Sequence, residues 1–272
     1  MFDLGGTHFA DDQEARMAHV GDVIDAYDDK YADGCFRNND TYYRCPLDFL
    51  SPKAGETLLD IACGLGDLLY YAGERHLDCY GIDLSSVATR AAKKRAPLAK
   101  TLVANTEMLP FAEGVFDNIT LIGSLEHLLD PGKGLLEMRR VLKWGGQALI
   151  LVPNGFYLPD IIWQVWRTGY GPNHKQIVQR FASAQEWRGF IESGGLKVRW
   201  IKRSNFQWPR SRRDWAWYKA NPKRLLGLIA APFIPFNLSN SFLYLCEKDP
   251  ATRGQVYDPL FWPAPPRLVD LK

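Results

Sequence analysis

The chain lacks any paired arrangement of cysteines. Its five (Cys35, Cys45, Cys63, Cys79 and Cys246) are odd in number, widely scattered and without a CxxC pair. That excludes a disulfide framework and a zinc ribbon and leaves reduced thiols as the expectation. Long hydrophobic runs are missing too. The longest, LLGLIAAPFIPF at 225–236, carries two prolines and falls short of the roughly 20 apolar residues that a bilayer span needs. The first 16 residues show no basic stretch followed by an apolar core, so no secretory leader is read and a cytoplasmic protein is expected. Neither sign of charge dominates: the formal net charge is +2 over 272 residues. What remains is ordinary globular material, 46% hydrophobic and 24% charged, enough for one large α/β domain with insertions or a domain with a small cap.

Within that material a regular alternation runs from residue 57 to 153. Short apolar runs at 57–62, 78–83, 100–105, 116–123 and 147–153 read as strands. Between them lie helix-like segments. Residues 67–75 form one, and a serine-capped segment rich in alanine and lysine starts at Ser85. A third opens with Asp130 as cap and Pro131 in first position and is expected to end at Gly145 and Gly146. Apolar strands separated by helices of about ten residues predict a parallel sheet covered on both faces, a doubly wound α/β fold. Ser183 with Glu186 forms a capping box for a helix stopped by Gly194. The alternating LKVRWIKR (196–203) and SFLYLCEK (241–248) read as late strands. Residues 11–33 read as an acidic amphipathic helix.

The stretch LLDIACGLGDLL (58–69) carries the strongest local signal. Gly64 and Gly66 follow the first strand, where ligands of doubly wound sheets bind, and glycine there lets a ligand approach the backbone. Leu69 stands where a dinucleotide fingerprint needs its third glycine. Asp60, read as the strand end, Asp67 at the helix start and Asp83 at the tip of the second strand surround the turn with negative charge. A helix N-terminus already carrying a carboxylate is a poor phosphate cradle. A cationic ligand with a ribose fits better, with Asp83 placed to accept the ribose hydroxyls.

These residues resemble the first motif of class I S-adenosylmethionine-dependent methyltransferases, and four further stretches resemble the family's later motifs in order. They are GIDLSS (81–86), ANTEMLPF (104–111), FDNITLIGSLEHLLDP (116–131) and LLEMRRVLKWGGQALILVPN (135–154). The resemblance is close over about 55–155. It implies a Rossmann-like seven-stranded sheet, mostly parallel, and S-adenosyl-L-methionine as cofactor. It also implies cofactor contacts at Asp60, Ala62, Gly64, Gly66, Asp83, Leu84, Asn105, Thr106 and Ser124. Ala62 stands where the family often has glycine, and Asn105 where aspartate commonly meets adenine, although an amide oxygen can accept the same bond. SLEHLLDP is also similar to ubiquinone-pathway O-methyltransferases, some of which carry a glutamate where Gly123 stands here and bind a metal. No metal is therefore expected.

For the acceptor, His127 is the leading candidate base, with His174 second. Tyr27, Tyr31, Tyr42 and Tyr43 either wall a pocket or pack a helix onto the sheet. Residues 200–224 hold eight lysines and arginines, one aspartate and four tryptophans. This segment reads as a pocket wall, a membrane-surface contact or a nucleic-acid contact, in that order. The expected organisation is an N-terminal helical lid (1–50), a core (51–204 with 239–250), a basic aromatic insertion (205–238) and a tail (251–272). The expected function is methyl transfer to an oxygen or nitrogen of a small, apolar or lipid-linked molecule. An RNA methyltransferase and a non-catalytic binding subunit are the alternatives.

Overall fold

The structure, a computed structural model, describes residues 20–32, 38–170, 180–205 and 207–251. His174 and Cys35 lie outside the described residues. Helices α1 (Val20–Ala32) and α2 (Asp40–Leu50) precede the alternation β1 (Thr57–Ile61), α3 (Asp67–Gly73), β2 (Asp78–Asp83), α4 (Ser86–Arg95), β3 (Lys100–Val103) and β4 (Phe116–Ile122). Helix α5 (Pro131–Val141) leads into β5 (Leu142–Pro153), followed by α6 (Trp163–Thr168), α7 (Ala184–Ser193) and β6 (Leu196–Ser204). Helices α8 (Arg212–Ala220) and α9 (Pro222–Ala230) then separate β6 from β7 (Ser241–Lys248).

The seven strands form one sheet in the order β3-β2-β1-β4-β5-β7-β6. Strands β1 to β5 pair in parallel, whereas β7 runs antiparallel to both β5 and β6. Successive side chains of a strand point to opposite faces, and the core divides accordingly. Leu59 and Ile61 of β1 join a cluster with Met138, Trp187 and Phe190, while Leu58 joins Leu47, Leu69 and Ala92 on the other face. Among the described residues no helix is long and apolar enough to cross a membrane.

The capping signals act as the sequence suggests. Ser85 accepts from Ala88 N at 3.0 Å, Asp130 from Lys133 N at 3.0 Å, and Ser183 with Glu186 forms a reciprocal capping box. Two expectations are corrected. Gly145 and Gly146 do not end the preceding helix, which closes at Val141; they lie inside β5. Gly145 adopts φ +77°, and a Cβ on Gly146 would lie 2.8 Å from the Asp117 carbonyl oxygen, so the pair serves a close strand approach where the β4–β5 register shifts. Asp60 does not end β1 and is not solvated: Ile61 follows it in the strand, and Asp60 is buried.

The segment between β6 and β7 is tied to α2 by one carboxylate. Asp214, 1% exposed, accepts hydrogen bonds from Thr41 N (3.1 Å), Thr41 Oγ1 (2.7 Å), Arg210 N and Ser211 N (both 2.9 Å). These donors hold its carboxyl below the usual range against the opposing pull of burial. Replacing Asp214 by alanine would leave Thr41 and the start of α8 with buried unpaired donors, a loss of about 2–4 kcal/mol. Chemical denaturation of Asp214→Ala is therefore expected to show a lower midpoint with an unchanged slope; an unaltered midpoint would mean that the four bonds carry no net stability.

Candidate active site

A cavity of about 240 Å³ opens beyond the carboxyl ends of β1, β2 and β4. Its floor is Asp60, Ala62 and Gly64 from the end of β1 and Asp83 and Leu84 from the end of β2. Asn105, Thr106, Ser124 and His127 close one side, and Tyr27, Tyr31, Tyr42 and Tyr43 cover it from α1 and α2. All four tyrosines thus wall a pocket. Of the nine residues expected to touch a cofactor, eight line this cavity and Gly66 does not.

Gly66 has a packing role. Its φ is +79°, and a Cβ there would sit 2.7 Å from Ala92 Cα and 2.8 Å from Ala92 Cβ, so its bareness lets α3 start against α4. Gly64, at φ +51°, faces the cavity, where a Cβ would meet the Tyr31 hydroxyl at 3.3 Å. Ala62 also has a left-handed backbone, φ +54°, a conformation that costs an L-residue about 1–2 kcal/mol.

Asp83 organises the turn. Its carboxylate, 6% exposed, accepts the Gly64 and Ser85 backbone N–H groups, each at 2.9 Å, and a bond from the Tyr31 side chain. Burial raises its pKa, and these three bonds pull it back. Ser85 in turn donates to Asp28 of α1, so α1 is fastened to the end of β2 at two points. Asp60 takes one bond, from Thr120 Oγ1 at 2.7 Å. Burial pushes its carboxyl up to about 7, against the Thr120 bond and assisted by the charge of Asp83.

The loop after β4 forms a short 3-10 turn, Leu125–His127. His127 Nε2 stands 3.6 Å from Glu126 Oε1. Glu126 is 5% exposed, its Oε2 has no hydrogen-bond partner among the described residues, and burial pushes its carboxyl up to about 8. Arg180 holds this loop from a distant part of the chain: its guanidinium donates to the carbonyls of Leu128 (2.6 Å), Leu129 (3.1 Å) and Glu126 (3.4 Å). The role of Arg180 had no sequence signal. Glu126 had one, a glutamate set in SLEHLL among leucines, since an unpaired glutamate is almost never fully buried. Asp60 and Glu126 both hold protons more tightly folded than unfolded. Each therefore lowers stability as pH rises from the ordinary carboxylate range towards about 7 to 8.

A sheet of this order with an antiparallel β7, an acidic residue at the tip of β2 and a glycine turn after β1 is a class I methyltransferase fold. Residues 59–150 match the family described as a methyltransferase domain. Among curated proteins, it is 29% identical over 140 residues to a demethylmenaquinone methyltransferase of Renibacterium salmoninarum, covering 52% of this chain and 58% of that protein. A ubiquinone/menaquinone biosynthesis C-methyltransferase of Geotalea uraniireducens is 35% identical over 106 residues, 36% of this chain and 45% of that protein. The chain thus spans about half the length of these relatives. Among solved structures, a complex of a methyltransferase activator with a putative methyltransferase from Haloferax volcanii matches with TM-score 0.60 and 19% identity, over 85% of this chain and 98% of that one. Geranyl diphosphate C-methyltransferase from Streptomyces coelicolor matches with TM-score 0.57 and 15% identity, over 84% and 97%. These two likenesses concern the fold.

The two backbone positions make opposite predictions. Gly66→Ala is expected to destabilise the protein by about 2–3 kcal/mol, because strain and overlap with α4 add. Ala62→Gly is expected to be neutral or to stabilise by up to about 1 kcal/mol. Thermal unfolding of the two variants checks both signs, and a destabilised Ala62→Gly would contradict the strain assigned to that residue.

Proposed function

We propose that the chain is an S-adenosylmethionine-dependent methyltransferase acting on a small organic molecule. The observation that carries this reading is the convergence of Asp60, Gly64, Asp83, Asn105 and Thr106 on one cavity at the carboxyl edge of the sheet. The chemistry of that donor set fits the cofactor. Asp83, already ordered by two backbone N–H groups, would accept the ribose hydroxyls. Gly64 leaves its backbone open to the methionine portion, and Asp60 supplies negative charge near an ammonium or sulfonium. Asn105 and Thr106 would face the adenine. The Asn105 oxygen accepts the Glu107 N–H at 2.9 Å and keeps one lone pair for the adenine amino group.

When bound, the cofactor supplies an electrophilic methyl group, and the remaining tasks fall to the protein. The acceptor must be aligned and, for a hydroxyl, relieved of a proton. His127 is the base in this reading, oriented by the adjacent Glu126 carboxyl. The four tyrosines exclude water from the reacting groups. Oxygen or nitrogen is the acceptor atom that this base serves. Carbon is the second reading, supported by the names of two relatives, which are C-methyltransferases.

A further reading concerns where the acceptor is met. Trp163 and Trp166, and in a second segment Leu226, Ile229 and Phe233, are exposed, and each segment carries an exposed cation, Arg167 and Lys223 respectively. Apolar and aromatic groups beside cations suit the surface of an anionic membrane, and so support a lipid-linked acceptor. Flotation with anionic vesicles is expected to carry the full chain, and Trp166→Ser with Phe233→Ser to reduce it severalfold. A chain that stays at the bottom of the gradient removes this reading.

Calorimetric titration with S-adenosylmethionine tests the main reading. Micromolar binding is expected, weakened at least tenfold by Asp83→Ala. If Asp60 ionises to meet the cation, binding expels a proton below about pH 7, where the carboxyl of the free protein is protonated. Affinity should then fall as pH drops from 7 to 5.5, by up to about tenfold per unit, and level off above 7. Asp60→Asn should flatten this profile. Absence of binding at millimolar cofactor would overturn the enzyme reading.

A further inference from the structure

Asp83 has a limited number of places for hydrogen bonds, and most of them are taken. A carboxylate offers about four lone-pair sites over its two oxygens. Oδ1 of Asp83 accepts the Ser85 N–H and Oδ2 the Gly64 N–H, both at 2.9 Å. The Tyr31 side chain takes a third site, which leaves about one. A ribose presents two neighbouring hydroxyls, and a carboxylate that accepts both needs two sites. The backbone bonds belong to the turn after β1 and to the residue that caps α4, so they are fixed with the fold. The bond from Tyr31 comes from a side chain on a separate helix and is the one that can yield.

The helix places that hydroxyl in the cavity. Tyr27 and Tyr31 stand one turn apart on α1 and share one of its faces, with ring centres 6.2 Å apart. Both line the cavity, as do Gly64 and Asp83. The Tyr31 hydroxyl also lies over the glycine turn, 3.3 Å from where a Cβ of Gly64 would stand. It therefore meets both groups assigned above to the cofactor: the carboxylate for the ribose and the bare backbone for the methionine portion. A phenolic O–H on a buried carboxylate is a charge-assisted bond, of the same kind that a ribose hydroxyl would make there.

We propose that the Tyr31 hydroxyl and the cofactor ribose compete for Asp83, so that α1 caps the site until a vicinal diol displaces Tyr31. The proposal rests on the methyltransferase reading for the ribose and on the bonds of Asp83 for the competition. Helix α1 keeps its second fastening, from Ser85 Oγ to Asp28, so the displacement is confined to the end of α1 that carries Tyr31. Two consequences separate this arrangement from an ordinary pocket wall. Tyr31 lowers cofactor affinity although it lines the cofactor's own cavity. Loss of one ribose hydroxyl costs little, because a single hydroxyl fits the remaining site and Tyr31 keeps its own.

Calorimetry on the full chain tests both, with S-adenosylhomocysteine and its 2′-deoxy and 3′-deoxy forms as probes. With the wild-type chain, removal of either hydroxyl is expected to weaken binding less than fivefold. Tyr31→Phe, which removes only the phenolic oxygen, should bind S-adenosylhomocysteine at least threefold more tightly. Removal of one ribose hydroxyl should then cost this variant at least tenfold. A gain of less than threefold in Tyr31→Phe overturns the proposal, and so does a loss of fivefold or more from the first hydroxyl in the wild-type chain. The second result needs no variant and stands even if Tyr31→Phe does not fold. Absence of binding by the wild-type chain at millimolar S-adenosylhomocysteine removes the methyltransferase reading and the competition with it. Binding with the wrong sign of change in Tyr31→Phe removes the competition alone.

Discussion

The site depends on one buried carboxylate with more hydrogen-bond donors than any neighbour. Asp83 receives the N–H of the turn after β1, the N–H that precedes α4 and the side chain of Tyr31. Three separate pieces of chain are thereby brought to one point: the end of β1, the end of β2 and the covering helix α1. A carboxylate can be buried at such cost only when its lone pairs are satisfied, so the glycine turn and Asp83 stabilise each other. The left-handed backbone at Ala62 is the strained element of the turn, and the bond from Gly64 N–H to Asp83 fixes the chain just beyond it.

The charge of the region is built against the trend of the whole molecule. A nearly neutral chain places Asp60, Asp83 and Glu126 in or under one cavity, each with its pKa raised by burial. The loop carrying Glu126 and His127 is held by Arg180, which donates to the carbonyls of Leu128 and Leu129.

Much of this arrangement was legible before any coordinates. The five parallel strands stood out because apolar runs of six to eight residues alternate with capped helices, and Ser85, Asp130 and Ser183 cap as their side chains dictate. Local chemistry sufficed there. Helix α2 was not legible, because Pro46 sits inside it and proline normally breaks helices; here burial of Thr41, Cys45 and Leu47 outweighs that preference. The Gly145–Gly146 pair looked like a helix stop because its true partner, the carbonyl of Asp117, lies on another strand. The packing role of Gly66 was hidden because its partner, Ala92, is 26 positions away along the chain. Arg180 was invisible for the same reason. What the sequence conceals is long-range contact, whereas what it displays is periodicity and capping.

The position of β7 has a consequence for how the molecule comes into being. β7 is the last described strand, yet it lies inside the sheet, between β5 and β6, and among the described residues β6 pairs with no other strand. During synthesis β6 must therefore wait, unpaired, while the 36 residues between it and β7 emerge, and only then can both strands dock. The cavity built on β1, β2 and β4 can be in place before that moment. The outer part of the sheet is completed last, by a closure late in folding that depends on contacts distant in sequence.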